Sequence, residues 1–168
     1  KSALISSLST GEPEVNSYPF TTKTLHVGHF EHRRRKYQMV DTPGLLDRPM
    51  IERNEIEMQA IAALENVGSV AVFLLDPSEE GGTSMESQLN LLEEVRYLLD
   101  DTPVVLVDGK MDLLGLNESN LRNPESGNFA ISATEGWGLD SLRSYLIELI
   151  GADVNNSSLS AIVNDLSK

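Results

Sequence analysis

Three short stretches combine residue types that can bind a nucleotide, and the first is KYQMVDTPGLLD, residues 36–47. Asp41 ends an apolar run, and a carboxylate at that place can hold Mg²⁺ through water. Gly44 has no side chain, so its backbone N–H can come close to a phosphate. The combination favours a site for a terminal phosphate, although Asp-Thr-Pro-Gly alone also makes a good turn.

The other two stretches follow later apolar runs. VVLVDGKMD places Lys110 and Asp112 after a buried strand. A carboxylate can accept two hydrogen bonds from the N–H groups on the edge of guanine, which adenine cannot supply. ISAT (131–134) follows the next strand, where small residues and free backbone N–H groups can contact the guanine carbonyl. Each stretch can be an ordinary loop, but three in this order, each behind an apolar strand, predict a guanine nucleotide site.

The first two residues, Lys1 and Ser2, fit the end of a phosphate-binding loop. A P-loop reads G-x-x-x-x-G-K-[ST] and leads into a helix; its lysine reaches the outer phosphates and its hydroxyl residue binds Mg²⁺. A Lys-Ser pair alone has no such meaning, so this interpretation depends on the downstream motifs. Because the preceding glycines and strand are absent, we expect the sequence to be a fragment that lacks the start of its P-loop.

Alternating strands and helices must position these residues. Apolar runs predict strands over 24–30, 36–40, 69–76, 103–108 and 128–132. Helical spacing predicts helices over 2–8, 54–67, 85–99 and 139–150. The first two strands form a hairpin, and the later βαβ series predicts a mostly parallel sheet flanked by helices, with the antiparallel hairpin at its edge. Residues 1–150 then form one domain, followed by a linker (151–158) and a short tail helix.

The motifs together resemble those of the Obg-like P-loop GTPases, and within them the nucleolar GTP-binding protein 1 family of archaeal type, which acts in assembly of the large ribosomal subunit. The resemblance rests on KSALISSL, EVNSYPFTTK, YQMVDTPGLLDRPMIERNEIEMQAIAAL, VVLVDGKMDLL and ISAT, and covers residues 1 to about 150. It implies a P-loop NTPase fold, a Ras-like G domain. It also implies GTP and GDP as ligands, Mg²⁺ as cofactor, and the large ribosomal subunit, ribosomal RNA and assembly factors as partners.

The resemblance also implies roles for individual residues. Phosphate binding falls to Lys1, Ser2 and Gly44. The switch residues are Thr21, Thr22, Asp41, Thr42, Pro43 and Gly44. The Mg²⁺ site comprises Ser2, Thr22 and Asp41. Guanine binding falls to Lys110, Asp112, Ser132, Ala133 and Thr134, with Lys110 packing along the base.

Two positions depart from the patterns of related GTPases. The usual guanine motif is N-K-x-D, but Gly109 stands where the asparagine belongs. That asparagine bonds the base and ties neighbouring loops together, and losing a buried hydrogen-bonding partner costs about 1 to 3 kcal/mol. Ras-like enzymes orient the attacking water with a glutamine just after the switch glycine. Leu45 and Leu46 stand there instead and cannot hold a water, so intrinsic hydrolysis is expected to be slow and no general base can be named.

Composition limits the alternatives. The 168 residues include 13 Lys and Arg against 26 Asp and Glu, a net charge of -13, which excludes a protein-wide basic surface for duplex nucleic acid. One basic cluster, EHRRRK (31–36), can contact ribosomal RNA phosphates or be a solvated hairpin tip. The chain has no cysteine, which fits a cytoplasmic protein, and no apolar run as long as the roughly 18 residues of a membrane span.

The sequence therefore predicts a GTPase of low intrinsic rate that acts as a conformational switch in large ribosomal subunit assembly. Two alternatives stay open. One is another ribosome-associated Obg-like GTPase. The other is a pseudo-GTPase, an interaction module that keeps the fold and has lost useful nucleotide binding through Gly109 and the missing phosphate loop.

Overall fold

The first helix of the fold lies where the sequence predicts it. The computed structural model describes residues 2–12, 14–17, 24–41, 51, 55, 69–121 and 128–165. Helix α1 spans Ser2–Leu8. Its residues Leu4, Ile5 and Leu8 are buried, because spacings of three and four residues place them on one helical face. The predicted helix over 54–67 falls almost wholly outside the described residues.

The predicted hairpin is confirmed and forms an antiparallel sheet of three strands. These are β1 (Glu14–Ser17), β2 (Thr24–His32) and β3 (Arg35–Asp41), in that order. A two-residue turn at Arg33 and Arg34 joins β2 to β3, and both residues have left-handed backbones, with φ of 48° and 67°. Positive φ at both central positions is what a type I′ hairpin turn requires.

Strand β1 was not predicted, because its sequence EVNS has no apolar alternation. It forms by pairing with the edge of β2, where Glu14 lies opposite Val27 and Ser17 opposite Thr24. Backbone hydrogen bonds to a neighbouring strand stabilise such a polar segment, so sequence periodicity carries no signal for it.

A parallel sheet of three strands holds the candidate site. Its strands, in sheet order, are β4 (Ala71–Leu75), β5 (Val104–Asp108) and β6 (Phe129–Ala130). The register pairs Leu75 with Asp108 and Asp108 with Ala130, so the carboxyl ends of the three strands lie side by side at one end of the sheet, here called the edge of the parallel sheet. The α/β architecture of a parallel sheet, helices and an antiparallel hairpin agrees with the prediction.

Two longer helices flank the parallel sheet. Helix α2 spans Met85–Leu98, and the Ser84 side chain caps its first turn by accepting from the Ser87 N–H. Helix α3 spans Leu139–Asp165 without interruption, whereas the sequence predicts a linker over 151–158 and a separate tail helix. Extending an established helix needs no new nucleation, so polar residues that favour loops in isolation can continue one. The domain boundary at 150 stays a prediction.

The main core lies between α1, the parallel sheet and α3. Its buried members are Leu4, Leu8, Val105, Val107, Ile131, Leu139, Leu142 and Leu146. Helix α1 also contacts β2 and β3 of the other sheet. Arg143 on α3 donates to the Leu8 carbonyl at 3.4 Å and lies 6.0 Å from the centre of the Phe30 ring. Helix α1 therefore packs against the hairpin, and α3 contacts both.

Candidate functional site

The ends of β4, β5 and β6 are joined by backbone hydrogen bonds that continue beyond the strands. The Gly109 N–H donates to the Leu75 carbonyl at 2.9 Å, and the Ile131 N–H donates to the Asp108 backbone carbonyl at 2.8 Å. The Met111 N–H in turn donates to the Ile131 carbonyl at 3.1 Å. The structure thus brings the two predicted guanine-binding stretches, 109–112 and 131–134, side by side.

The stretch after β5 is a tight loop with an unusual backbone at Lys110. Lys110 has φ 55° and ψ 34°, the left-handed conformation, and begins a short 3₁₀ helix at Met111–Leu114. Asp112 lies in the first turn of that helix and is partly exposed. A left-handed lysine is uncommon, and such conformations concentrate at functional sites.

The stretch after β6 uses its serine internally. Ser132 is fully buried, and its hydroxyl accepts a hydrogen bond from the Glu135 N–H at 3.1 Å. Within the described part of the chain, no hydrogen bond uses the backbone N–H of Ala133 or Thr134. Ser132 therefore shapes the turn, and the two following N–H groups remain available to a ligand. The Ala133 carbonyl accepts from the Ser7 hydroxyl at 2.8 Å, which connects this loop to α1.

Asp108 lies beside this loop at the end of β5. Burial raises the pKa of its carboxyl above the ordinary value, and a hydrogen bond from Asn128 offsets part of that effect. Its backbone N–H and carbonyl take part in the pairing of the parallel sheet. As a carboxylate it cannot donate the hydrogen bond that the missing amide at position 109 would supply.

Asp76 and Gln88 were missed in the sequence, although Asp76 follows β4 as the other site residues follow their strands. Asp76 Oδ2 lies 2.5 Å from Lys110 Nζ. The buried Gln88 of α2 accepts from the Asp76 N–H at 2.7 Å and donates to the Asp76 carbonyl at 3.0 Å. Applying the strand-end rule to β4 would have identified Asp76. No signal in the sequence pairs it with Lys110.

The predicted phosphate and Mg²⁺ site is described in part. The residues Lys1, Thr21, Thr22, Thr42, Pro43 and Gly44 lie outside the described residues, as do Leu45 and Leu46. Ser2 begins α1, which contacts β3, and Asp41 ends β3 with 5% of its surface exposed. A single buried carboxylate suits a cation that keeps water and phosphate oxygens as its other ligands, so Asp41 fits the role assigned to it. No cluster of three or more acidic or histidine ligands occurs among the described residues.

The fold, with loops for a ligand at the carboxyl ends of its parallel strands, is that of a G domain. It is similar to the G domain of the FeoB iron transporter of T. maritima, with a TM-score of 0.66 and 20% identity over 89% of this chain and 90% of that chain. At that identity the likeness concerns the fold alone.

The chain belongs to the nucleolar GTP-binding protein 1 family. The family description "Nucleolar GTP-binding protein 1 (NOG1)" matches residues 55–112. A nucleolar GTP-binding protein 1 of Plasmodium falciparum is 31% identical, with a TM-score of 0.79 over 99% of this chain and 88% of that chain. An uncharacterized protein of Methanocaldococcus jannaschii is 47% identical over 68% of this chain. The nucleolar GTP-binding protein 1 of Drosophila melanogaster is 42% identical over 68% of this chain.

The last two relatives are much longer than this chain. It covers 31% of the archaeal protein and 18% of the fly protein. The name of the fly protein includes the word nucleolar, which differs from the predicted cytoplasmic location, and the location of this chain stays a prediction. Among the helices of the described residues, none has both the length and the apolar character needed to cross a membrane.

Proposed function

We propose that this chain binds GTP and GDP with Mg²⁺, hydrolyses GTP slowly and acts as a conformational switch in assembly of the large ribosomal subunit. The observation that carries guanine binding is the pairing of two loops at the edge of the parallel sheet. One loop offers the Asp112 carboxylate, and the other offers the unbonded N–H groups of Ala133 and Thr134. Guanine has N–H donors and a carbonyl acceptor on this edge, so acceptor and donors are both matched.

Individual residues of the chain have separate roles in binding the nucleotide and Mg²⁺. Asp112 accepts from guanine, while the Ala133 and Thr134 N–H groups donate to its carbonyl. The stem of Lys110 packs along the face of the base. Ser2, Thr22 and Asp41 would hold Mg²⁺, which supplies positive charge against the phosphate oxygens when it is bound.

Slow hydrolysis follows from the switch sequence. Leu45 and Leu46 occupy the place of the glutamine that orients water in Ras-like enzymes. Their apolar side chains cannot orient water, so a partner, a cation or another residue must complete catalysis. Such a switch passes from its GTP-bound to its GDP-bound state mainly when a partner accelerates hydrolysis, because its intrinsic hydrolysis is slow.

Gly109 favours a second candidate, an interaction module without useful nucleotide binding. The site lacks the amide that usually bonds the base, and Asp108 cannot replace its donor. The two candidates differ in nucleotide affinity.

Titration of the full natural chain, including any residues before Lys1, with GTP, GDP and ATP in Mg²⁺ distinguishes them. We expect tight binding of both guanine nucleotides and much weaker binding of ATP by calorimetry. Equal binding of ATP and GTP would contradict guanine recognition, and the absence of any binding would leave the interaction module as the better account.

The hairpin turn supports RNA as the partner of the switch. Residues 33–36, here called the basic tip, hold four of the chain's 13 Lys and Arg residues, and all four are exposed. Among the described residues, the ion pairs are Arg96–Glu93, Lys110–Asp76 and Arg143–Asp140, so none includes the basic tip. Unpaired guanidinium groups match phosphate oxygens, whereas the net charge of -13 gives the rest of the protein no overall attraction for RNA.

The backbone of the basic tip strengthens this argument. Arg33 and Arg34 occupy left-handed positions where Asn-Gly is strongly preferred. The tip also lies about 20 Å along β3 from the switch residue Asp41, at roughly 3.3 Å per residue. The hairpin can therefore reach an RNA surface while its other end remains at the nucleotide site.

Replacing Arg33 with Asn and Arg34 with Gly separates charge from turn geometry. We expect the double variant to be at least as stable to heat as the parent, because the new residues suit the turn. We expect it to bind protein-free large-subunit ribosomal RNA about tenfold more weakly at 0.1 M salt, with a shallower salt dependence, since two phosphate contacts are lost.

The matched control is Arg96→Gln, which removes an exposed arginine on α2. Equal RNA affinity in the parent, the control and the tip variant, measured by filter binding over a salt series, would contradict a role for the basic tip. Nucleotide titration of the same variants tests the switch itself separately.

A further inference from the structure

Asp76 joins three segments at the edge of the parallel sheet. Its Oδ2 contacts Lys110 Nζ after β5 and accepts from the Gly81 N–H at 3.3 Å. Its Oδ1 accepts from the Ser78 N–H at 3.2 Å and from the Ser78 hydroxyl. The end of β4, the loop before α2 and residues 109–112, here called the guanine loop, are thus connected through one carboxylate.

Helix α2 fixes the backbone on which this carboxylate stands. Besides its two hydrogen bonds to Asp76, the Gln88 amide donates to the Thr83 carbonyl at 2.9 Å. Gln88 is buried, with 9% of its surface exposed. Because both ends of the loop are held by one buried amide, the Asp76 side chain has little freedom to leave Lys110.

Gly109 connects β4 and β5 through its backbone N–H alone, because it has no side chain. A Cβ added there would lie 3.0 Å from Leu74 Cδ1 and 3.4 Å from the Leu75 carbonyl oxygen, closer than ordinary packing. An asparagine at this position therefore requires Leu74 to move. A side-chain connection between the loops after β4 and β5 must therefore come from another residue.

We propose that Asp76 is a positioning residue of the guanine site, which holds the Lys110 ammonium so that the lysine stem lies along the base. In this chain it takes the place of the tie that the asparagine of N-K-x-D makes in related GTPases. The inference rests on the proposed GTP binding and adds a residue to it.

The chemistry of the pair fits this role. A lysine can pack its apolar stem on a surface while its charged end meets a carboxylate. The Asp76 side chain is 21% exposed and that of Lys110 is 46% exposed, so the stem remains open to a ligand. Burial raises the pKa of Asp76, but hydrogen bonds from Lys110 and Ser78 outweigh it and hold the pKa below its ordinary value. The carboxylate is therefore charged throughout the neutral range, and the contact is lost only as the pH falls through that lowered pKa.

A double-mutant cycle in the full chain tests the proposal. The variants are Asp76→Asn, Lys110→Met and both together, and the readout is the rate at which a fluorescent GDP dissociates. We expect Asp76→Asn to speed release about three- to fivefold in the parent, the size of a partly exposed ion pair. In the Lys110→Met background the same change should have no effect, because the ammonium it holds is gone.

Two further variants sharpen the result. Asp76→Glu should restore part of the slow release, since it keeps the charge. Glu93→Gln, which breaks an exposed ion pair on α2, should release GDP at the parent rate. Thermal unfolding of each variant shows whether it is folded.

Equal acceleration in both backgrounds, or none in the parent, would overturn the positioning role while leaving GTP binding intact. A parent that binds no guanine nucleotide would overturn the proposed function and this inference together. The two failures are therefore distinguishable in one set of measurements.

Discussion

Replacing Asp112 with alanine is expected to lower GTP and GDP affinity by at least about a hundredfold and to leave ATP affinity unchanged. The carboxylate is assigned two hydrogen bonds from guanine, and hydrogen bonds to a charged group contribute about 1.5 to 3 kcal/mol each. Losing both hydrogen bonds also leaves two guanine N–H groups without an acceptor. Adenine lacks these N–H groups, so its binding does not depend on Asp112. Calorimetric titration with the three nucleotides in Mg²⁺ measures the change.

The matched control is Glu118→Ala, an exposed acidic residue in the next 3₁₀ helix after the guanine loop. It should bind all three nucleotides as the parent does. A uniform loss for GTP and ATP in Asp112→Ala would indicate a disturbed loop rather than a lost guanine contact. An unchanged GTP affinity would show that the base is recognised elsewhere.

The strand ends were the most predictable part of the molecule. The side chains of runs such as VFLL and VVLV are mostly buried or half-buried. A polar residue directly after such a run lies at the carboxyl end of the sheet. The stretches that hold Asp112 and Ala133 were assigned to one site because each follows such a run, and the structure has them in adjacent loops. The rule applies to Asp76 as well, at the end of β4.

The contacts that define the site in detail had no signal in the sequence. The Asp76–Lys110 pair joins residues 34 positions apart through two different loops. The resemblance assigns Ser132 to the guanine pocket, but no sequence pattern predicts that its buried hydroxyl accepts from the Glu135 N–H. Periodicity reports which face of an element is buried and cannot report which polar side chains meet.

The same limit applies to the antiparallel sheet. Alternation predicted β2 and β3, yet β1 depends on an edge that only the folded hairpin provides. The left-handed Arg33 and Arg34 also contradict local preference, since turn statistics alone would place Asn and Gly there. Where a chain keeps a locally unfavourable residue, tertiary structure or binding is the expected reason.

Replacing Gly28 with alanine is expected to lower the free energy of unfolding by about 1 to 3 kcal/mol, the typical cost of overpacking. A Cβ on this residue of β2 would lie 2.7 Å from Ile5 Cγ2 and closer still to the Ser9 hydroxyl oxygen, which is buried without a partner. Helix α1 must therefore shift away from the hairpin. Urea unfolding of the parent and the variant measures the change.

Gly11→Ala is the matched control, because a Cβ there meets nothing within 4 Å. It should unfold like the parent. Since α1 begins at Ser2, a displaced α1 should also weaken GTP binding in Gly28→Ala more than in the control, even though Gly28 itself is remote from the guanine loop. Adding Ser9→Gly removes the nearer obstacle and should recover part of both losses. If Gly28→Ala is as stable as Gly11→Ala, the close packing of α1 on β2 does not limit the fold, and the position of Ser2 must be set by the core contacts of Leu4 and Leu8 instead.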